Sequence, residues 1–327
     1  MYMRERFHDV LPPMPDAVSI DVTQAAQWWL RDDERLIYNW ADYHCVVPPY
    51  PETWMEFIYP KQLRANGGIK DTPASLQNAG VLLITREIDS VTAETVRGKH
   101  YPFLSIAMNR YLPSAAALSP LNEMPEDSDT CPRWLVIGLT FLANRDMPAL
   151  TNLWATTLDL NGRYIRHVAI PMLPGIIAIL NGTTVERARA IIQSLSQDQQ
   201  AQMFLAAKDD FEQPFFFCLS LLHCRNVEIV DKPAPPAPIL KQRAKKGIPY
   251  IQYKTLEVKP LRKVTQGGKR NSGEAEPKAL HFVRGHFKDF TAKGLFGKYK
   301  GVYWWDSVVR GDVSKGIIDK DYKVSHD

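Results

Sequence analysis

The chain has 327 residues, of which 45% are hydrophobic, 10% aromatic and 23% charged, with a formal net charge of +4. This composition excludes a wholly disordered chain and suits one large or two ordinary domains. The longest apolar runs, 134–143 and 168–180, fall short of the roughly 18–20 apolar residues of a spanning helix, so no membrane partner is expected.

The opening stretch, MYMRERFHDVLPP, lacks the apolar segment of a secretory signal. With only four cysteines, the expected setting is reduced and cytoplasmic. Asp21 and Thr23 are capping residues for a helix running to about Asp42, with Ala25, Ala26, Trp29, Leu36, Ile37 and Trp40 as its apolar positions. Residues 81–88 (VLLITREI), 103–111 and 134–141 read as strands. Between 154 and 170, Asn161-Gly162 separates two β-rich flanks and predicts a hairpin with a type I′ turn. A helix is predicted over 184–195. Ser196 with Gln199 three residues on makes a capping box for another, reaching about Phe211. Residues 214–224 are strongly apolar and predict a buried helix. Cys218, His223 and Cys224 lie there at no common zinc spacing and read as core residues. His100, His167 and the tryptophans Trp28, Trp29, Trp40 and Trp54 are also read as structural, and His44 is assigned no chemistry.

The net charge hides a division. Residues 1–231 carry 19 Lys+Arg against 27 Asp+Glu, a net −8, and residues 232–327 carry 21 against 9, a net +12. The change falls at DKPAPPAP (231–238), a proline run that favours an extended spacer. A basic cluster, KQRAKKG (241–247), follows, then a strand-like stretch over 248–258 and a Gly-rich charged loop over 265–278. The expected fold class is α+β: an acidic mixed domain over 1–231, a Pro-rich basic linker over 232–248, and a basic β-rich module over 249–327. Such asymmetry suggests a polyanion partner for the basic part.

No GxGxxG, GxxxxGK[ST], HExxH or GxSxG motif occurs. The chemistry-bearing residues concentrate in the last fifty positions. His281 and His286 fall on opposite faces of a continuous strand, and a bulge at Gly285 would bring them to one face. A histidine pair titrates near neutral pH. It can take the 2′-hydroxyl proton of RNA and protonate the leaving 5′-oxygen. With Arg284 and Tyr322, His281 and His286 form the candidate catalytic set. Lys298, Lys300, Arg310 and Lys320 supply cations for phosphate, and Tyr303, Trp304 and Trp305 supply rings on which bases stack. A metal site from His281, His286, Asp306 and Asp312 is the rival arrangement, and no cofactor is implied.

The string HFVRGHF…GLFGKYKGVYWW…VRGD…KDYKV, over 280–324, resembles a recurrent C-terminal module of phage and prophage proteins. LSLLHCRNV (219–227) resembles the segment that precedes it in those relatives. Val309 stands where a histidine is expected from that pattern. The resemblance implies a phage or mobile-element setting and no particular activity. Two functional readings stay open. One is a nucleic-acid-binding protein, RNA before DNA, with metal-independent endoribonuclease chemistry as its sharper form. The other is a non-catalytic interaction protein that docks on an acidic partner or self-assembles into an oligomer.

Overall fold

The computed structural model describes residues 1–31, 43–59, 76–87, 133–199, 213–259, 279–283, 285–295, 297–305, 308–310 and 312–318. Helices and strands are mixed, as the α+β reading requires. The chain forms two compact units: Met1–Leu222 with Ile229–Leu256, and His223–Glu228 with Glu257–Asp327. This partition differs from the boundary at 231 drawn from the sequence, because each unit takes two separate pieces of chain.

Unit 1 is built on an eight-stranded sheet. Its strands are β1 (Val18–Asp21), β2 (Glu52–Ile58), β3 (Asn78–Glu87), β4 (Trp134–Ala143), β5 (Pro148–Leu158), β6 (Tyr164–Pro171), β7 (Val227–Asp231) and β8 (Tyr253–Val258), in the order β6-β5-β4-β3-β2-β1-β8-β7. From β2 to β6 the pairing is antiparallel, whereas β1 runs parallel to both β2 and β8. In β3 and β4 nearly every residue is buried, so these strands read as continuous apolar runs and not as alternating ones.

The reason is cover on both faces. One face takes the N-terminal segment, with Met3, Phe7, Leu11 and Met14 packed among Trp54, Leu82, Ile137 and Leu139. The other takes α5 (Gln213–Leu222), whose Phe215 lies 5.4 Å from Phe57 and whose Phe216 lies 5.0 Å from Trp154, centroid to centroid. The remaining described helices of unit 1 are α1 (Met3–Arg6), α2 (Thr23–Arg31), α3 (Leu173–Asn181), α4 (Val185–Ser194) and α6 (Ala237–Lys245). Thr184 caps α4 by accepting from Arg187 N at 3.2 Å, and Ser196 and Gln199 exchange the two bonds of the expected capping box. Among the described residues no helix is long and apolar enough to cross a membrane.

Three expectations differ in detail. The β5–β6 hairpin forms, but its loop spans 160–162, with Asp159 and Arg163 bonded and Gly162 at φ 75°. Asp159 Oδ1 accepts from Asn161 N and Arg163 N at 2.8 Å each. This is a three-residue turn ending in a left-handed glycine and not a two-residue type I′ turn. The segment expected to be a linker, 232–248, carries α6 and belongs to unit 1. Its prolines start a helix: Pro236 is the N-cap and Pro238 sits in the first turn, where a missing N–H costs nothing. The strand-like stretch 248–258 is extended β8 only from Tyr253. The expected helix positions Leu36, Ile37 and Trp40, the strand over 103–111 and the helix beyond Gln199 lie outside the described residues.

Unit 2 carries two small sheets. β9 (Ala279–Val283) lies between β12 (Val308–Arg310), antiparallel, and β13 (Asp312–Ile318), parallel. β10 (His286–Asp289) and β11 (Val302–Trp305) form an antiparallel hairpin.

Candidate nucleic-acid interface

The β10–β11 hairpin has two unlike faces. Its register pairs His286 with Trp305, Phe287 with Trp304, Lys288 with Tyr303 and Asp289 with Val302. Antiparallel partners share a face and neighbours alternate. One face therefore carries Phe287, Asp289, Val302 and Trp304, with the Phe287 and Trp304 rings 4.9 Å apart and edge-on. Trp304 is 2% exposed. The other face carries His286, Lys288, Tyr303 and Trp305. There Lys288 Nζ sits 4.6 Å above the Trp305 ring, and Phe290 packs on Tyr303 and Trp305 at 6.0 and 5.7 Å.

The buried face is held by the other piece of unit 2. Asn226 clamps the Trp304 backbone at two points: its Oδ1 accepts from Trp304 N at 2.9 Å and its Nδ2 donates to Trp304 O at 2.8 Å. Arg225 N donates to Val302 O at 2.8 Å, and Lys259 N to Asn226 O at 2.7 Å. Gly285 is the place where the indole seats, since a Cβ there would lie 2.5 Å from Trp304 Cζ2. Cys224 beside this clamp is 3% exposed, and burial pushes its thiol up to about 12.

The hairpin ends join through a compact loop closed by Phe290 N to Gly301 O at 2.9 Å and by the reciprocal pair Leu295–Tyr299 at 2.8 and 3.1 Å. Lys293, Lys298 and Lys300 project from it, exposed and with no ion pair to a described residue. Tyr299, between two of them, is 46% exposed. Asp289, the one acidic residue in 285–305, accepts from Thr291 N at 2.7 Å. The loop thus presents cations and an open ring together, a combination suited to phosphate and stacked base.

The residues singled out in the sequence divide as follows. His286, Tyr303 and Trp305 share one hairpin face, and Lys298 and Lys300 lie on the adjoining loop. His281 does not continue their strand: the chain leaves one sheet at Val283 and enters the other at His286, so a bulge at Gly285 does not unite the histidines. The backbone of His281 is the register partner of Arg310. The side chains of His281, Arg310 and Asp312 lie outside the description, as do Arg284, Asp306, Lys320 and Tyr322 altogether. The stacking set also needs correction. Trp304 and Tyr303 are core residues at 2% and 8% exposure, because the buried hairpin face and Phe290 cover them. Half-buried Trp305 remains, and exposed Tyr299 joins it. Tyr299 and Lys288 were missed. The available signals were the Lys-Tyr-Lys turn between Gly297 and Gly301 and the two-residue step from His286 to Lys288.

A second concentration of polar groups lies in unit 1 and has the opposite character. Glu56, fully buried, accepts from Met3 N and from Asn78 Nδ2 at 2.9 Å on one oxygen. On the other it accepts from Arg4 N at 3.5 Å and from Trp54 Nε1 and the Tyr253 hydroxyl at 3.0 Å each. Burial pushes its carboxyl up to about 7, against the donors from Met3, Trp54, Tyr253 and Arg4. Asp21 accepts from the Tyr2 hydroxyl at 2.6 Å and from Lys232. Burial opposes its charge, but the bonds from Lys232, Thr23 and Tyr2 outweigh that and hold it below the ordinary carboxyl value. Each carboxylate here is consumed by structure, so the cluster reads as the anchor of the N-terminal segment. No protein-family model, curated protein or solved structure matches the chain.

Proposed function

We propose that the chain binds single-stranded nucleic acid, RNA before DNA, through the open face of the β10–β11 hairpin and the 290–301 loop. One observation supports the reading above the others: Lys293, Lys298 and Lys300 are exposed on one loop, the last two flanking exposed Tyr299 in sequence, and have no ion pair to a described residue. Phosphate contacts by such cations release counterions, and an open ring stacks any base. The phage or mobile-element setting comes from the sequence resemblance alone. Metal-independent RNA cleavage is the second reading. It is favoured by a partly exposed His286 on the same face as Lys288 and Trp305.

The test is a salt titration with a fluorescent oligouridine. Lys298→Gln with Lys300→Gln should flatten the slope of log K against log salt by about 1.4, at roughly 0.7 per phosphate contact on a single strand. An unchanged slope would remove the hairpin from the interface. The same RNA, incubated with EDTA, tests cleavage. Loss of ~10²–10⁴ in rate in His286→Ala supports acid–base catalysis, and binding without cleavage leaves a binder.

A further inference from the structure

We propose that α6 of unit 1 is a second phosphate-binding surface for the same single-stranded RNA, carried by Lys241, Lys245 and Lys246; this rests on the RNA-binding reading above. Residues 232–256 contain six Lys+Arg and no Asp or Glu. Half of the +12 carried by 232–327 therefore belongs to a segment of unit 1, and residues 257–327 keep 15 Lys+Arg against 9 Asp+Glu, a net +6.

Three of the six cations are consumed within unit 1. Lys232 pairs with Asp21, Lys254 Nζ reaches Asp231 Oδ1 at 2.6 Å, and Arg243 forks onto both oxygens of Glu5 at 2.9 and 3.0 Å. The other three, Lys241, Lys245 and Lys246, are exposed and have no ion pair to a described residue. Helical geometry separates Lys241 and Lys245 from Arg243, and Lys246 is the C-cap residue just beyond the last turn. At about 100° per residue, Lys241 and Lys245 stack on one face, and Arg243 lies roughly 160° around the helix from either. Glu5, 2% exposed, fixes that opposite face to the core. The anchored arginine thus holds a row of lysines toward solvent.

Two lysines one turn apart repel each other. The helix dipole favours Lys245 near the C-terminus but not Lys241 in the second turn. An anion bound between them relieves the repulsion. The helix buries none of its own residues, so packing does not explain its composition. Just beyond it, Tyr250 is 43% exposed and offers a ring for a base.

The experiment uses the full chain, the fluorescent oligouridine and two variants, Lys241→Gln/Lys245→Gln/Lys246→Gln and Lys298→Gln/Lys300→Gln, each checked for an unchanged thermal melt. Three lost phosphate contacts should flatten the salt slope of the first variant by about 2. If the triple exchange lowers the melt, Lys241→Gln alone should flatten it by about 0.7. An unchanged slope, with the hairpin variant flattened, overturns this inference and spares the hairpin reading; it would turn attention to an acidic protein as the ligand of α6. The reverse pattern upholds the inference and removes the hairpin. No salt-dependent binding by the unaltered chain overturns both.

Discussion

Glu56 and the β10–β11 hairpin use polar side chains in opposite ways. In the Glu56 cluster of unit 1 the polar groups face inward, where five donors meet the two Glu56 oxygens and Asp21 and Glu5 each hold a cation. In unit 2 the lysines of the loop are exposed and have no ion pair to a described residue. Residue type alone does not separate these cases. Burial and the count of unmet partners do: a satisfied cluster stiffens a fold, whereas an unsatisfied one has interaction energy left for a ligand.

The largest effect should come from breaking the satisfied cluster. Glu56→Ala would leave Trp54 Nε1, Asn78 Nδ2, the Tyr253 hydroxyl and Met3 N unpaired in the core, and should cost about 4 kcal/mol or more in urea unfolding. A loss under 1 kcal/mol would mean that the N-terminal segment is held by its apolar contacts alone. Slightly smaller is the effect of pH. A folded carboxyl at about 7, above its ordinary 4.5, binds its proton more tightly than the unfolded chain does. Its contribution, roughly 3 kcal/mol, is complete below pH 4.5 and is lost as pH rises through 7. Unfolding free energies at pH 5 and pH 8 should differ in that sense, and Glu56→Gln should remove this contribution from the difference. Equal pH dependence in both proteins would show that the five donors keep Glu56 charged throughout. The smallest effect belongs to unit 2. Gly285→Ala forces a methyl to 2.5 Å from the Trp304 ring and should cost ~1–3 kcal/mol, read from tryptophan fluorescence on unfolding. An unaffected midpoint would show that the indole is not seated as described.

The parts that were legible in the sequence are local. β3, β4, the β5–β6 hairpin, the helix beginning near 184 and the Ser196–Gln199 box each follow from residues a few positions apart. What escaped depends on distant partners. Glu56 meets Met3 across 53 positions, Asn226 meets Trp304 across 78, and Arg243 meets Glu5 across 238. The basic excess was visible, but its division was not. A proline run looks the same whether it spaces two domains or opens a helix, and the Glu5 contact decides which. In the Tyr-Trp-Trp run, alternation separates the faces, but only pairing with Phe287 and Asn226 shows which one is covered.

The interleaving of the two units bears on how the chain is made. A ribosome adds ~5–20 residues per second, and Tyr253 follows Glu56 by 197 positions, so the nascent sheet waits about 10–40 s for the last donor to that carboxylate. During the same interval residues 223–228 have emerged, and the strand they clamp has not been synthesised. Neither unit can close until the other has been partly translated. A fragment ending at 231 would lack Lys232, Arg243 and Tyr253, so Glu5 would lose its arginine fork and Asp21 and Glu56 would each lose one donor inside an unfinished sheet. Expression of such a fragment should yield aggregates, and the two units are better separated by point substitution than by truncation.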